Sequence, residues 1–244
     1  MSKIYEALEY ARNKRMIPEK PIEIPLPKTY KTPEADIGLE NEMLSLYQNI
    51  SGLLPDVMHP VVMFIGSHSN EGTSTVARQL AKAASLRLGK AVLLIDLDRS
   101  RPEFQVFVDV APEASLEDVM KSDAPLEKAF CQVEDSSLYV MPLFQQSCLN
   151  PRTLDSAKNA MFWETLKDRF DMIVLDTPPA TLFPDGLALV RHVDGVVMVV
   201  EAEKTRWPVA LGVKEKIVKN GGNVLGIVFN KRRFYIPEWL YKRL

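Results

Sequence analysis

An α/β fold is predicted for this 244-residue chain: a doubly wound, mostly parallel sheet with helices on both faces. Three observations lead there. Short apolar runs recur at 61–65, 91–95, 171–176, 195–200 and 224–229, with helix-patterned stretches between them. Runs without polar alternation are strands buried on both faces, the signature of parallel sheets, and parallel neighbours need right-handed helical crossovers. The first run breaks into a small polar loop and then a helix, and two others end in the carboxylates Asp96 and Asp176. In open α/β sheets the C-terminal strand ends are where ligands bind.

With 46% apolar side chains the chain can bury a sizeable core, most simply as one domain with extensions. A net charge of −2 argues against a nucleic-acid partner, because duplex-binding surfaces are strongly basic. Cys131 and Cys148 form no C-x-x-C pair and no ligand set with the three histidines, so a reducing cytoplasm fits better than a disulfide scaffold or metal cluster. No apolar run of about eighteen residues and no signal peptide occur, so membrane association is expected to be peripheral or through a partner.

Taken in order, residues 1–17 form an amphipathic helix with Ile4, Leu8 and Ala11 on one face and Lys3, Arg12 and Arg15 around them. It either docks on a partner or acidic surface, or packs on its own domain. Five prolines make residues 18–33 an extended linker. An α/β domain then spans 34–230. It opens on a helix marked by Leu39, Met43, Leu46, Ile50 and Leu53. After the first strand and its loop, the helix beginning at Ser74 is stopped by Gly89. The second strand ends in Asp96-Leu97-Asp98. A short helix from Ser115, a strand over 138–143 and a helical stretch from Asn150 to Phe170, broken near Asn159, come next. The third buried strand ends at Asp176 before Thr177-Pro178-Pro179, and the last two strands flank a helix over 205–220. The tail 231–244 mixes Lys231, Arg232 and Arg233 with Phe234, Tyr235, Trp239 and Tyr241. Such a tail can sit at an anionic membrane surface or on an acidic partner, or tuck against its own domain.

The loop after the first strand carries the chemistry. Gly66 and Gly72 let the backbone bend so that N–H groups and a positive helix end converge on an anion. A phosphate loop of the G-x-x-x-x-G-K-[ST] type follows its last glycine with lysine and a hydroxyl residue. Here Thr73 stands in the lysine position, Ser74 keeps the hydroxyl that binds Mg²⁺, and residues 60–81 contain no lysine. Losing one preorganised charge-stabilising group costs ~10²–10³ in rate, or ~2.7–4 kcal/mol. Nucleotide binding can therefore outlast transfer chemistry. Asp96, Asp98 and Asp176, at strand ends beside the loop, are placed to hold Mg²⁺ or to position a nucleophile.

Together these landmarks resemble the cytoplasmic tyrosine kinases of bacterial capsular and exopolysaccharide synthesis and export, relatives of the ParA and MinD P-loop ATPases. The likeness runs from about Glu42 to Asn230, and Met1 to Leu8 looks like the opening of a related branch. Glu71-Gly72-x-Ser74-Thr75 is similar to the family's phosphate loop, Leu94-Ile95-Asp96-x-Asp98 to its acidic strand motif, and Asp171 with Asp176-Thr177-Pro178-Pro179 and Asp185 to its third motif. The resemblance implies ATP or ADP with Mg²⁺ as cofactors, held by Gly66, Asn70, Glu71, Gly72, Thr73, Ser74 and Thr75, with Asn230 at the adenine. Ser74, Asp96 and Asp176 would serve the metal, Asp96 and Asp98 the catalysis. It further implies a membrane copolymerase or chain-length determinant as activating partner at the inner face of the membrane, and acceptor tyrosines in the tail.

Four departures from the family pattern point one way. Thr73 replaces the loop lysine, Ser100 replaces an arginine expected after Asp98, helix residues 41–48 lack two ring-closing arginines, and the tail offers Tyr235 and Tyr241 instead of a tyrosine cluster. Self-association is left undecided by the altered ring helix. The expected function is a kinase-like regulator or assembly factor of exopolysaccharide production, with nucleotide binding left open and kinase activity weak or lost. The alternative is an active, atypical tyrosine autokinase in which Arg78, Arg99 or Arg101, or a partner's cation, supplies the missing charge.

Overall fold

The computed structural model describes residues 37–97, 114, 118–119, 125–142, 157–181 and 185–232. The expected N-terminal helix and linker, Asp98, Arg99, Ser100 and Arg101, and the tail tyrosines Tyr235 and Tyr241 lie outside the described residues.

The chain runs α1 (Ile37–Leu53), β1 (Val61–Gly66), α2 (Thr73–Leu88), β2 (Val92–Asp96), β3 (Cys131–Gln132), β4 (Leu138–Pro142), α3 (Ala157–Lys167), β5 (Met172–Asp176), α4 (Asp185–Ala188), β6 (Gly195–Glu201), α5 (Trp207–Lys219) and β7 (Val224–Asn230). The seven strands form one sheet in the order β3-β4-β2-β5-β1-β6-β7. All pairings are parallel except β3 with β4. The predicted doubly wound α/β sheet is thus observed, with one short antiparallel strand at its edge.

Strand alternation divides the core in two. Every residue of β1, β2 and β5 is buried, because these strands are apolar on both faces. Met63, Ile65, Leu93, Ile95, Ile173 and Leu175 face one layer, with Phe162, Trp163 and Leu166 of α3 and Val213 and Ile217 of α5. Val62, Phe64, Leu94, Val174 and Val197 face the other, with Met43 and Ile50 of α1 and Val76, Leu80 and Ala84 of α2. Gly89 ends α2 in the left-handed region (φ 64°), its N–H donating to Ser85 O at 3.1 Å.

Two aspartates fix the N-terminal edge of the sheet. Val61 N–H donates to Asp194 Oδ2 at 2.8 Å, and Ala91 N–H donates to Asp171 Oδ2 at 2.8 Å. Lys167 Nζ reaches Asp194 Oδ2 at 3.2 Å. Asp171, grouped with Asp176 by the resemblance, therefore serves the opposite end of β5, about 16 Å away at the ordinary rise per strand residue.

Among the described residues α3 is continuous from Ala157 to Lys167, so no break falls at Asn159 itself, and the stretch before Ala157 lies outside the described residues. The two-residue β3 and four-residue α4 have too few positions to show a period, so the sequence did not announce them.

Candidate nucleotide-binding site

The end of β1 and the start of α2 build a cradle. Gly72 precedes α2 with φ 91°, and the first helical hydrogen bond is Val76 N–H to Gly72 O at 3.0 Å. The N–H groups of Thr73, Ser74 and Thr75 therefore precede the helical ladder, and no side chain caps them at Gly72. At the positive end of a 16-residue helix this is an anion-binding arrangement. A Cβ on Gly72 would fall 2.0 Å from Asn230 Nδ2, and one on Gly66 would fall 2.6 Å from Thr73 Oγ1 and 2.8 Å from Glu71 Oε2. Both glycines are needed for space, and Gly72 for its left-handed conformation as well. Five residues separate them, and Asn70 takes up the extra length at φ 68°, a conformation asparagine tolerates.

Glu71 organises the loop from within. It is 2% exposed, and its Oε2 accepts Ser67 N–H at 2.5 Å and His68 N–H at 2.9 Å. Thr205, just after β6, donates its hydroxyl to Glu71 Oε1 and accepts Glu201 N–H at 3.1 Å. On the other flank Thr181 Oγ1 donates to Ser67 O at 2.5 Å, and Ala180 N–H donates to Gly66 O at 2.9 Å. The Glu71 carboxylate is thus turned into the loop's own framework.

Asp96 and Asp176 sit side by side in register at the ends of β2 and β5, at 8% and 3% exposure. Asp176 also pairs in register with Phe64 of the loop-bearing strand. Leu97 N–H donates to Asp176 O at 2.8 Å, and Thr177 Oγ1 donates to Phe64 O at 2.8 Å, so the Asp-Thr-Pro-Pro segment is pinned against β1. Among the described residues no three His, Cys, Asp or Glu side chains cluster as a metal site. The expected metal set has two carboxylates and the Ser74 hydroxyl, hard oxygen donors of the kind Mg²⁺ takes alongside water and phosphate.

Asn230 closes the cradle from β7, with Nδ2 donating to Glu71 O at 2.9 Å. The next residue, Lys231, donates its ammonium to Asn70 O and lies 3.5 Å from Glu201 Oε2. Glu201 titrates below the ordinary carboxylate value, chiefly through its hydrogen bond to Lys204 and further through the charges of Lys204 and Lys231. Arg78, a candidate for the missing loop charge, turns Nε back to Ser74 O at 3.0 Å. The structure thus gathers Gly66, Asn70, Glu71, Gly72, Thr73, Ser74, Thr75, Asp96, Asp176 and Asn230 at one sheet edge. Thr181, Glu201, Thr205 and Lys231 were missed. The usable signal was their placement at or just after the C-terminal ends of the parallel strands β5, β6 and β7.

No protein-family model matches the sequence. The septum site-determining protein MinD of Pyrococcus horikoshii, solved with Mg-ADP, superposes with a TM-score of 0.59 at 22% identity, covering 76% of this chain and 77% of that one. The chimerical protein CapA2B2 superposes with a TM-score of 0.72 at 21% identity, covering 86% and 93%. These two likenesses establish the fold. The tyrosine-protein kinase CpsD of Streptococcus agalactiae is 30% identical over 165 residues, 66% of this chain and 70% of that protein. By this relationship and the shared P-loop fold, the chain belongs to the bacterial tyrosine-protein kinase family.

Proposed function

We propose that this protein is a nucleotide-binding, kinase-like regulator or assembly factor of exopolysaccharide production and export, with tyrosine transfer weak or lost. One observation carries the reading: a phosphate cradle built with both glycines and a bare helix end, in which Thr73 sets a short neutral hydroxyl against Gly66 where a lysine belongs. The cradle suits nucleotide phosphates, because the two glycines leave space that a Cβ would fill. Gly66, Asn70, Gly72, Thr73, Ser74 and Thr75 would hold the phosphates through the backbone, with Glu71 bracing the loop and Asn230 on the adenine side. Ser74, Asp176 and Asp96 would hold Mg²⁺. Bound Mg-ATP would supply the phosphoryl group and spread its charge over the metal.

Without the loop lysine, charge developing on a transferred phosphoryl group meets backbone dipoles and the metal alone. The loss of one such group corresponds to ~10²–10³ in rate. The role then rests on nucleotide-dependent docking to a membrane copolymerase at the inner face of the membrane, with Asp98, Tyr235 and Tyr241 as remnants of the catalytic apparatus. No helix among the described residues is long and apolar enough to cross a membrane. The test is Mg-ATP with the purified full chain and the copolymerase's cytoplasmic segment, read as phosphotyrosine. The native chain should give a barely detectable signal, and Thr73→Lys a rate roughly 10²-fold higher. Robust labelling of native Tyr235 or Tyr241 would overturn the reading.

A further inference from the structure

We propose that Lys231 supplies the phosphate-binding cation that the loop lacks. This rests on the nucleotide-binding reading above and deepens it. Although no lysine occurs from residue 60 to 81, the ammonium of Lys231 donates to Asn70 O on the loop. Its Cε lies 3.9 Å from the position a Cβ on Gly72 would take. The charge comes to the cradle's rim from a strand end 161 residues away in sequence.

The backbone is committed to that placement. Asn230 is fastened to the loop through Glu71 O, and its Oδ1 accepts Lys231 N–H at 2.9 Å. Lys231 itself has φ 56°, a left-handed conformation that an unbranched L residue adopts at a cost and keeps where its surroundings enforce it. The side chain is 46% exposed, so the ammonium can swing from a loop carbonyl to a ligand oxygen. Its present partner can release it, because Glu201 Oε2 also accepts from Lys204 Nζ at 3.1 Å and stays neutralised when Lys231 turns away. Arg78, another cation beside the loop among the described residues, donates Nε to Ser74 O of its own helix.

A compact ammonium with three donors suits phosphate as a point charge. Held at the rim, it stabilises bound nucleotide without following the phosphoryl group as it transfers. Binding shared equally by ground and transition states adds affinity without rate. Lys231 is therefore a nucleotide-positioning residue, and its presence is consistent with binding that survives weak transfer.

The experiment is calorimetric titration of the full chain with Mg-ADP and, separately, with adenosine. Lys231→Met should weaken Mg-ADP about tenfold or more, as for loss of one charged hydrogen bond, and leave adenosine affinity unchanged. Lys231→Arg should recover part of the loss, and adding Thr73→Lys to Lys231→Met should restore it. Glu201→Gln should not weaken Mg-ADP. Two results would overturn the assignment: Lys231→Met and Lys231→Gln binding Mg-ADP like the native chain, or both ligands weakening equally, which marks a structural role. The first leaves the nucleotide-binding reading standing. A native chain that binds no Mg-ADP would end both.

Discussion

Glycine at position 72 meets two demands at once, a φ of 91° and the Asn230 amide 2.0 Å from where a Cβ would sit. Gly72→Ala is therefore expected to destabilise the chain by about 1–2 kcal/mol for the left-handed backbone alone, and to weaken nucleotide binding by displacing the Asn230 amide from the loop. Thermal unfolding and ADP titration read the two effects separately. Glu71→Ala should cost about 2–3 kcal/mol in urea denaturation, because it leaves the Ser67 and His68 N–H groups without their carboxylate inside a packed loop. The sequence made the loop's place legible, since Gly66, Gly72 and Ser74 follow a local spacing rule. It could not reveal that Glu71 braces the loop through Thr205 or that Lys231 lies on Asn70, contacts spanning 134 and 161 residues.

At the level of elements, the parallel strands were legible because burial on both faces forces uninterrupted apolar runs, whereas β3 borrows its stability from β4 and carries no pattern of its own. Likewise, the resemblance groups Asp171 in one motif with Asp176, yet Asp171 accepts Ala91 N–H at the far end of β5. Asp194→Ala, at the same edge, should cost about 1–3 kcal/mol in urea denaturation, since it strips the acceptor from Val61 N–H and the partner from Lys167. At the end of β6, Glu201 titrates below its usual 4.5 because Lys204 hydrogen-bonds it and Lys231 adds charge. A carboxylate with a lowered folded-state pKa stabilises the fold above its unfolded pKa and loses that contribution as pH falls through the folded value. Below about pH 4.5 the native chain should thus lose melting temperature more steeply than Glu201→Gln, and equal slopes would refute the ion pair's role.

Across the whole molecule, β1 lies inside the sheet between β5 and β6, and the C-terminal ends of the parallel strands β2, β5, β1, β6 and β7 converge on one edge. That convergence assembles a phosphate cradle, two buried carboxylates and a lysine from widely separated stretches, and membership of the tyrosine-protein kinase family gives it a chemical context. The proposed division of labour is that the cradle holds nucleotide while Thr73 withholds transfer. Its most direct test follows Mg-ATP binding by calorimetry and phosphotyrosine formation on the same purified samples of the native chain and Thr73→Lys. On this reading Mg²⁺-dependent binding is expected of both proteins, with phosphotyrosine detectable in quantity from the lysine variant alone. Efficient phosphotyrosine formation by the native chain, or binding confined to the variant, would contradict it.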